Sequence, residues 1–287
     1  MYAFDIERPT TLADAVKLLA ASDENQALGG GQTLIPTLKQ RLAMPEVLVS
    51  LTAIDEIKGI CEDDAGRICI GAGTTHAEVA SGAAKFPALA ALAANIGDPA
   101  VRNRGTIGGS LANNDPSACY PAAALGSGAT IVTNARDIAA DDYFQGMFTT
   151  ALDDGEIITE VTFPVPQKAA YMKFEQPASR FALVGAFVAQ YADGVRVAIT
   201  GASEEGVFRW SEAETALSAN FAPEALDDHR RLRRPGWEDV LHGRSDAGGR
   251  HHPCRRHQCA PLGTRHGVGC GARGGGHGAS GGRRRSD

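Results

Sequence analysis

The sequence lacks the segments that direct a protein into or across a membrane. No run approaches the about 18 consecutive apolar residues that a membrane-spanning helix needs. The N-terminal segment MYAFDIERPT has no basic region followed by an apolar stretch, which a secretory signal would require. The six cysteines are spaced irregularly over 287 residues and do not suggest a disulfide framework. These absences predict a cytoplasmic protein, either free or associated with the inner face of the membrane.

Residues 1–226 also lack the residue constellations of a self-sufficient catalyst. They contain no Ser-His-Asp arrangement, no paired acid and base carboxylates and no lysine of a phosphate-binding P-loop. We therefore predict no catalytic residue and no metal ligand in this chain. The protein is expected to supply binding and electrostatics, while a bound cofactor supplies any redox chemistry.

Charge and composition divide the chain near residue 226. The net charge is −6, but residues 227–287 contain 13 Arg and only 6 acidic residues, so the preceding residues are strongly acidic. An acidic body has no footprint for nucleic acid. Residues 241–287 contain only three large aliphatic side chains and cannot bury enough apolar surface to fold. Their Gly, Ala, Arg and Pro content is typical of GC-rich DNA translated out of frame, which predicts a frameshift after about residue 225.

The spacing of apolar residues predicts an α+β fold in three units followed by a tail. Residues 1–56 have a β-α-β-α-β order, which indicates a small parallel sheet. Residues 57–168 begin with a hairpin and continue with helices and strands, which predicts a mainly antiparallel second unit. Residues 169–226 contain three β-rich runs and a helix, which predicts a C-terminal α+β unit. Residues 227–287 form the atypical Arg-, Gly- and His-rich tail.

A glycine-rich segment, GGGQT at Gly29–Thr33, lies between a predicted strand and a predicted helix. Three consecutive glycines remove every Cβ and allow positive φ, so the backbone can approach a ligand closely. Successive N–H groups in such a turn form an anion-binding concavity, and the helix beginning near Leu34 adds its positive end. Thr33 adds a hydroxyl group. Taken alone, the segment is explained equally well as a tight structural turn.

The segment TIGGS at Thr106–Ser110 repeats these ingredients about 75 residues later. Gly105 precedes it, and Arg102 and Arg104 are near enough in sequence to add positive potential. Two such turns in separate units predict that one phosphate group is held from two sides. Composition alone does not name the ligand.

In their contexts GGGQTLIP and RNRGTIGGSLANNDP, the two segments resemble the paired signature of the flavoprotein subunits of molybdenum hydroxylases, usually AGGHSLIP with TIGGN or TIGGS. Within this family the chain is most similar to the branch that serves aerobic carbon monoxide dehydrogenases. The similarity runs from FDIERPTTLADAV through LAMPEVLVSL, IGAGTTHAEV and GEIITEVTFPVP to about residue 220. The resemblance implies an FAD-binding fold of two α/β subdomains, followed by a C-terminal α+β domain.

The resemblance also implies a set of FAD-binding residues. Both segments contact the FAD pyrophosphate in the family, and Asn113 lies just beyond the second one. Phe181 aligns with an aromatic ring that covers the isoalloxazine, although ordinary core packing would explain it equally well. Gln32 replaces the usual His and Thr33 the usual Ser, but both keep hydrogen-bonding groups. The implied cofactor-binding residues are Gly29, Gly30, Gly31, Gln32, Thr33, Thr106, Ile107, Gly108, Gly109, Ser110, Asn113 and Phe181.

The same resemblance implies that the chain works inside a larger enzyme. In the family, a large subunit with the molybdenum cofactor oxidises the substrate, and a small subunit with two [2Fe–2S] clusters relays electrons to the flavin. This chain would pass them to an external acceptor such as a quinone, within a dimer of heterotrimers. The alternatives are a subunit of another hydroxylase, of the xanthine dehydrogenase or aromatic type, and a free-standing FAD oxidoreductase. A third alternative is a nucleic-acid- or metal-binding protein that depends on the basic tail.

A second glycine-containing motif, GAGTTH at Gly71–His76, imitates a dinucleotide-binding fingerprint. His76 stands in place of the third glycine, and the acidic residue at the right distance, Asp98, lies in a Gly/Pro turn. The favoured interpretation is a structural turn in which Thr74 or Thr75 caps the following helix.

The remaining motifs favour structural roles. Cys61 and Cys69 lie in predicted strands and are expected to be packed side chains. Cys119 stands where relatives often have an acidic residue, so no role is assigned to it. Asp115–Pro116 predicts a turn. The His- and Cys-rich run at 251–259 fits no zinc-finger spacing and lacks a core to fix its ligands.

Overall fold

The computed structural model, which describes residues 1–227, begins with a small parallel sheet. Its elements are β1 (Asp5–Glu7), α1 (Leu12–Leu19), β2 (Asn25–Leu28), α2 (Leu34–Lys39) and β3 (Val47–Ser50). Strand β3 lies between β1 and β2, and both pairings are parallel. Leu48 and Val49 of this central strand are fully buried. The predicted parallel sheet is confirmed.

Thr11 caps helix α1 at its N-terminus. The Asp14 N–H donates to the Thr11 side-chain oxygen at 3.2 Å, which satisfies one of the free donors of the first turn. Its buried residues Ala15 and Leu19 share a small core with Val49. The helix therefore covers one face of the sheet and leaves the carboxyl ends of β2 and β3 open.

An antiparallel sheet with helices makes up the middle of the chain. Its elements are β4 (Ile60–Glu62), β5 (Ile68–Gly71), α3 (His76–Gly82), α4 (Pro87–Ala94), α5 (Pro99–Arg102), α6 (Ile107–Asn113), α7 (Cys119–Ser127), β6 (Thr130–Thr133), β7 (Asp137–Ala139), α8 (Ala140–Tyr143), β8 (Phe144–Gly146), β9 (Thr149–Thr150) and β10 (Ile158–Phe163). Five strands pair in the order β4-β5-β10-β6-β7, and all are antiparallel. Ile70 and Val161 of this sheet pack with Leu89 and Leu92 of α4. The predicted hairpin is confirmed, although Ile57 belongs to a 3-10 turn before it.

The last described elements form an antiparallel meander with one helix. They are β11 (Lys168–Glu175), β12 (Ala182–Tyr191), β13 (Gly194–Thr200), β14 (Phe208–Arg209) and α9 (Ser211–Ala219). The four strands pair in chain order, and α9 packs on them through Ala213 and Leu217. The three sheets together confirm the predicted α+β class.

Helix α7 joins the second sheet to the third. Most of its residues are fully buried, and a Cβ atom at Gly126 would lie 2.8 Å from the Phe187 ring of β12. Phe187 and Ile70 accordingly belong to one continuous core. The proposed domain boundaries after residues 56, 168 and 226 stay predictions, and all but the first residue of the tail lies outside the described residues. No helix within residues 1–227 is both long and apolar enough to cross a bilayer.

Candidate functional site

An open cleft of about 840 Å³ lies where strands β2 and β3 end. Small-molecule sites typically have volumes of about 300–1,000 Å³. Both glycine-rich segments line this cleft. The predicted site residues found in its wall are Gly29, Gly30, Gly31, Gln32, Thr33, Thr106, Gly108, Gly109, Ser110, Asn113 and Phe181.

The two glycine-rich segments meet at Gly30. A Cβ atom at this position would lie 1.9 Å from the Arg104 carbonyl oxygen and 2.8 Å from Gly105 Cα, so no side chain fits between the two backbones. A Cβ atom at Gly29 would lie 3.2 Å from the Thr106 side-chain oxygen. The residue before the second segment is thus in contact with the first, and both segments face one cleft.

The first segment, Gly29–Thr33, is an open loop that leads from β2 into α2. Within residues 1–227, none of its five backbone N–H groups has a protein acceptor. The Gln32 side-chain amide donates to the Gly30 carbonyl at 3.2 Å, so this departure from the family signature stabilises the loop. The following helix has only six residues and no side-chain cap. The loop amides, rather than a long helix dipole, are therefore its main anion-binding feature.

The second segment forms the cap and first turn of helix α6. Thr106 caps the helix, and its side-chain oxygen accepts from the Gly109 N–H at 3.1 Å. The Ile107 N–H donates to the Thr74 carbonyl at 3.1 Å, and the Gly108 N–H donates to the Ala72 carbonyl at 2.9 Å. The Ser110 N–H is bonded inside the turn. These four amides are used by the fold and are not free for a ligand.

Side chains, in contrast, remain available on the second segment. The Ser110 hydroxyl and the Asn113 amide are half-buried in the cleft wall. Neither has a hydrogen-bond partner within residues 1–227. Both can donate to an anionic or polar ligand.

Ile107 does not line the cleft. Its side chain is fully buried in the main core, and its N–H group is bonded to Thr74. Its buried side chain anchors α6 in the core, and its role as a cofactor-binding residue stays a prediction.

Phe181 lines the cleft from the residue just before β12. It is 46% exposed, so the alternative of ordinary core packing does not describe it. The turn before it is closed by two bonds, from the Gln176 N–H to the Phe181 carbonyl and from the Arg180 N–H to the Gln176 carbonyl, each 2.8 Å. Lys173, which the sequence reasoning missed, donates to the Arg180 carbonyl at 2.6 Å and to the Asn95 carbonyl at 2.7 Å. This lysine fixes the turn that carries Phe181.

The basic residues near the second segment have different surroundings. The Arg102 guanidinium donates to the Ile96 and Gly97 carbonyls, at 3.0 and 2.9 Å, and holds the α4–α5 connection. Arg104 is exposed and lines the cleft. Of the two predicted sources of positive potential, Arg104 is the one in the cleft wall.

His76, at the start of α3, packs against Gly105, the residue that precedes the second segment. Its backbone N–H donates to the Gly105 carbonyl at 2.9 Å, and a Cβ atom at Gly105 would lie 2.5 Å from its Nε2 atom. The ring packs beside Tyr120, with 5.3 Å between ring centroids. Burial, with a smaller contribution from Arg102, lowers the pKa of His76 to about 4, so the ring is neutral at neutral pH.

GAGTTH is a structural motif, as favoured from the sequence. Thr75 caps α3 in a capping box, in which the Thr75 N–H donates to the Glu78 carboxylate at 2.8 Å. Asp115 likewise closes the predicted turn, because the Ser117 N–H donates to its carboxylate at 2.8 Å.

The expectation of packed cysteines in the β4–β5 hairpin holds for only one of them. Cys69 is buried, but Cys61 is exposed because β4 is the edge strand of its sheet. Cys119 is buried, 3.8 Å from the Lys173 ammonium. The His- and Cys-rich run at 251–259 lies outside the described residues.

Known proteins match this chain over most of its described length. Residues 2–166 match the family described as the FAD binding domain in molybdopterin dehydrogenase. The carbon monoxide dehydrogenase medium chain of Afipia carboxidovorans is 42% identical over 197 residues, which cover 65% of this chain and 68% of that protein. The glyceraldehyde dehydrogenase medium chain of Sulfolobus acidocaldarius is 33% identical over 195 residues, covering 65% and 69%. The solved carbon monoxide dehydrogenase from Hydrogenophaga pseudoflava, which lacks the Mo-pyranopterin moiety, aligns with a TM-score of 0.73 and 32% identity, covering 78% of this chain and 84% of that chain.

The family match over residues 2–166, together with a cleft lined by backbone amides, places the chain in the class of FAD-binding proteins. The chain belongs to the FAD-binding family of the molybdopterin dehydrogenases and is an oxidoreductase subunit. The residues fit this cofactor, because five consecutive N–H groups that have no acceptor in the described part of the chain line a cleft of suitable volume.

Proposed function

We propose that this chain is the FAD-carrying medium subunit of an aerobic carbon monoxide dehydrogenase. The observation that carries the proposal is the contact of Gly30 with the Arg104 carbonyl, which brings the two halves of the family signature to one cleft. The similarity to carbon monoxide dehydrogenase medium chains supports the choice of enzyme. FAD, when bound, supplies the redox chemistry that passes electrons from [2Fe–2S] clusters to an external acceptor such as a quinone.

The two segments have different roles in this proposal. The loop amides of Gly29–Thr33 hold the pyrophosphate, because these donors have no acceptor within residues 1–227. Ser110 and Asn113 add side-chain donors from α6. Phe181, which also lines the cleft, covers the isoalloxazine. Thr106, Ile107, Gly108 and Gly109 position α6, so their contribution to FAD binding is through backbone placement.

The sequence of residues 1–226 contains no recognisable acid, base or nucleophile arrangement for a substrate, which favours a role inside a complex. The proposed partners are a large subunit with the molybdenum cofactor and a small subunit with two [2Fe–2S] clusters, assembled as a dimer of heterotrimers. The proposed location is the cytoplasm, free or at the inner face of the membrane.

Native mass spectrometry of the complex purified from its source organism tests the proposal. The expected result is a heterotrimer or its dimer with one FAD per copy of this chain, together with carbon monoxide-dependent reduction of an artificial electron acceptor. Isolation of this chain alone with FAD, and activity without partners, would instead indicate a free-standing oxidoreductase.

A second candidate differs only in the substrate of the partner subunit. The similarity to a glyceraldehyde dehydrogenase medium chain covers nearly the same share of the chain and favours a different hydroxylase. Acceptor reduction by the same complex with an aldehyde or an aromatic heterocycle, and none with carbon monoxide, would select this candidate.

A further inference from the structure

Two cysteines and a carboxylate lie on one face of the second sheet. Cys61 of β4 and Cys69 of β5 are direct partners in the antiparallel register, so their side chains point to the same face. Cys69 is in turn the partner of Thr162 in β10, and Glu160 lies two residues before Thr162 on that face. Three adjacent strands therefore present their donor atoms side by side.

The donor atoms are close enough to share one ligand. The two Sγ atoms and a Glu160 carboxylate oxygen all lie within 4.8 Å of one another. Thr162 connects them, since its Oγ1 atom lies 3.7 Å from Cys69 Sγ and 3.0 Å from Glu160 Oε1. Gly71 is opposite Glu160 on β5, so no side chain separates the carboxylate from the thiols.

We propose that Cys61, Cys69 and Glu160 bind a divalent thiophilic cation, for which Zn²⁺ is the representative. Thiolates and carboxylates are established ligands of this ion, at about 2.3 Å for sulfur and about 2.0–2.2 Å for oxygen. Cys61 is exposed and Cys69 is buried, so the fourth coordination position faces solvent.

Burial raises the pKa of the Cys69 thiol to about 11, so the metal ion itself must displace the Cys69 proton. Two thiols lose their protons to solvent as two sulfur–metal bonds form, so the three ligands and the divalent ion carry one net negative charge. Arg67, just before β5, interacts electrostatically with both Cys69 and Glu160, and its guanidinium also pairs with Asp63 at 2.6 Å. The Thr162 hydroxyl bonds the Glu160 carboxylate and orients it, as outer partners of metal ligands commonly do.

The site is separate from the flavin cleft. None of the three ligands lines the cleft. The ion would instead tie the edge strand β4 to β5 and β10, so its binding should stabilise the folded sheet. The proposed metal site is therefore tested by metal stoichiometry and thermal stability, and this test does not depend on the proposed enzyme activity.

Calorimetric titration of the reduced, chelator-treated full chain with Zn²⁺ tests the site. The tail has its own His and Cys residues between 251 and 259 and can bind Zn²⁺ too, so the comparison is between variants. The wild type should bind one more Zn²⁺ per chain than Cys61→Ser, a change at an exposed position that leaves the core intact. Glu160→Gln should weaken the same step by at least about 10-fold.

Glu62→Gln is the matched control. Glu62 adjoins Cys61 in β4 but points to the other face of the strand and contacts Lys85, so this variant should bind as the wild type does. Zn²⁺ should also raise the Tm of the wild type and of Glu62→Gln more than that of Cys61→Ser. Equal stoichiometry and equal Tm shifts in the wild type and Cys61→Ser would overturn the proposal. A Cys61–Cys69 disulfide that forms in air despite saturating Zn²⁺ would also overturn it, and would assign the pair to thiol oxidation.

Discussion

The two glycine-rich segments have almost the same composition but use their glycines differently. In Gly29–Thr33 the missing side chains leave an open loop with five N–H groups that have no acceptor within residues 1–227. In Thr106–Ser110 they permit close packing, because a Cβ atom at Gly108 would lie 2.5 Å from the Ala72 Cβ atom and 2.8 Å from its carbonyl oxygen. The amides there are already bonded to Ala72, Thr74 and Thr106.

The difference shows that a glycine pair beside hydroxyl residues does not by itself indicate free donors. Whether the amides face a ligand depends on what lies behind them. Behind the first segment the chain continues into a short helix, whereas behind the second lies the Gly71–His76 turn, whose carbonyls accept the amides. The first segment is thus suited to bind an anion and the second to position the first.

Gly30→Val should have the largest effect, because it separates the two segments. Its Cβ atom would overlap the Arg104 carbonyl, 1.9 Å away, and neither backbone can move without disturbing its sheet or helix. We expect a loss of about 3 kcal/mol or more in the free energy of unfolding and purification without FAD. Denaturant unfolding and flavin absorbance measure the two effects.

Gly29→Ala is the control for this variant, because its Cβ atom would only approach the Thr106 side-chain oxygen at 3.2 Å. It should retain much of the stability and some flavin. If Gly30→Val retains full flavin occupancy, the contact between the segments is not what forms the site.

Acidification should weaken the support of the second segment through His76. Burial lowers the folded-state pKa of His76 to about 4, below the unfolded value of about 6.5, so the unfolded chain takes up the proton first. Stability from this residue is complete above about pH 6.5 and is lost as the pH falls toward 4, by roughly 3 kcal/mol in all. Over the same pH range, the free energy of unfolding measured with urea should change less steeply with pH in His76→Gln than in the wild type. Equal slopes in both proteins would contradict this assignment.

Gly108→Ala should lower the free energy of unfolding and have a smaller effect on the contact with flavin. Its Cβ atom would press on Ala72 and shift α6 away from the Gly71–His76 turn, at a cost of about 1–3 kcal/mol. The measurement compares the thermal unfolding of flavin-free Gly108→Ala with that of flavin-free Gly109→Ala. A Cβ atom at Gly109 meets only the Thr106 side-chain oxygen at 3.0 Å, so the milder loss should be in Gly109→Ala.

Asn113→Ala should give the smallest effect and should change affinity alone. The amide has no partner within residues 1–227, so its removal leaves no buried group unpaired. Loss of one hydrogen bond to FAD would weaken binding by about 1 kcal/mol, or roughly fivefold in Kd. A fluorescence titration with FAD checks the value, and an unchanged Kd would remove Asn113 from the site.

Much of the fold followed from local patterns in the sequence. The β-α-β-α-β order of residues 1–56 predicted a small parallel sheet, which β1, β3 and β2 form. The hairpin β8–β9 and the one-turn helix α5 were not predicted, because elements of two to four residues have no measurable period.

The site was less predictable because its geometry depends on distant partners. The glycines and hydroxyls identified both segments, but the carbonyls of Ala72 and Thr74, which occupy the amides of α6, lie more than thirty residues earlier. The roles of His76 and Lys173 likewise depend on contacts across the fold. Cys61 was expected to be packed, and its exposure follows from the place of β4 at the sheet edge, which the hairpin pattern does not reveal.

Amide hydrogen exchange, measured with and without FAD on the full chain, tests the division of roles most directly. The N–H groups of Gly29–Thr33 should exchange rapidly in the flavin-free protein and become protected when FAD is added. Those of Ile107–Ser110 should be protected in both states, because the fold already bonds them. Rapid exchange at Gly29–Thr33 in the FAD-saturated protein, or protection that appears only at Ile107–Ser110, would contradict this account.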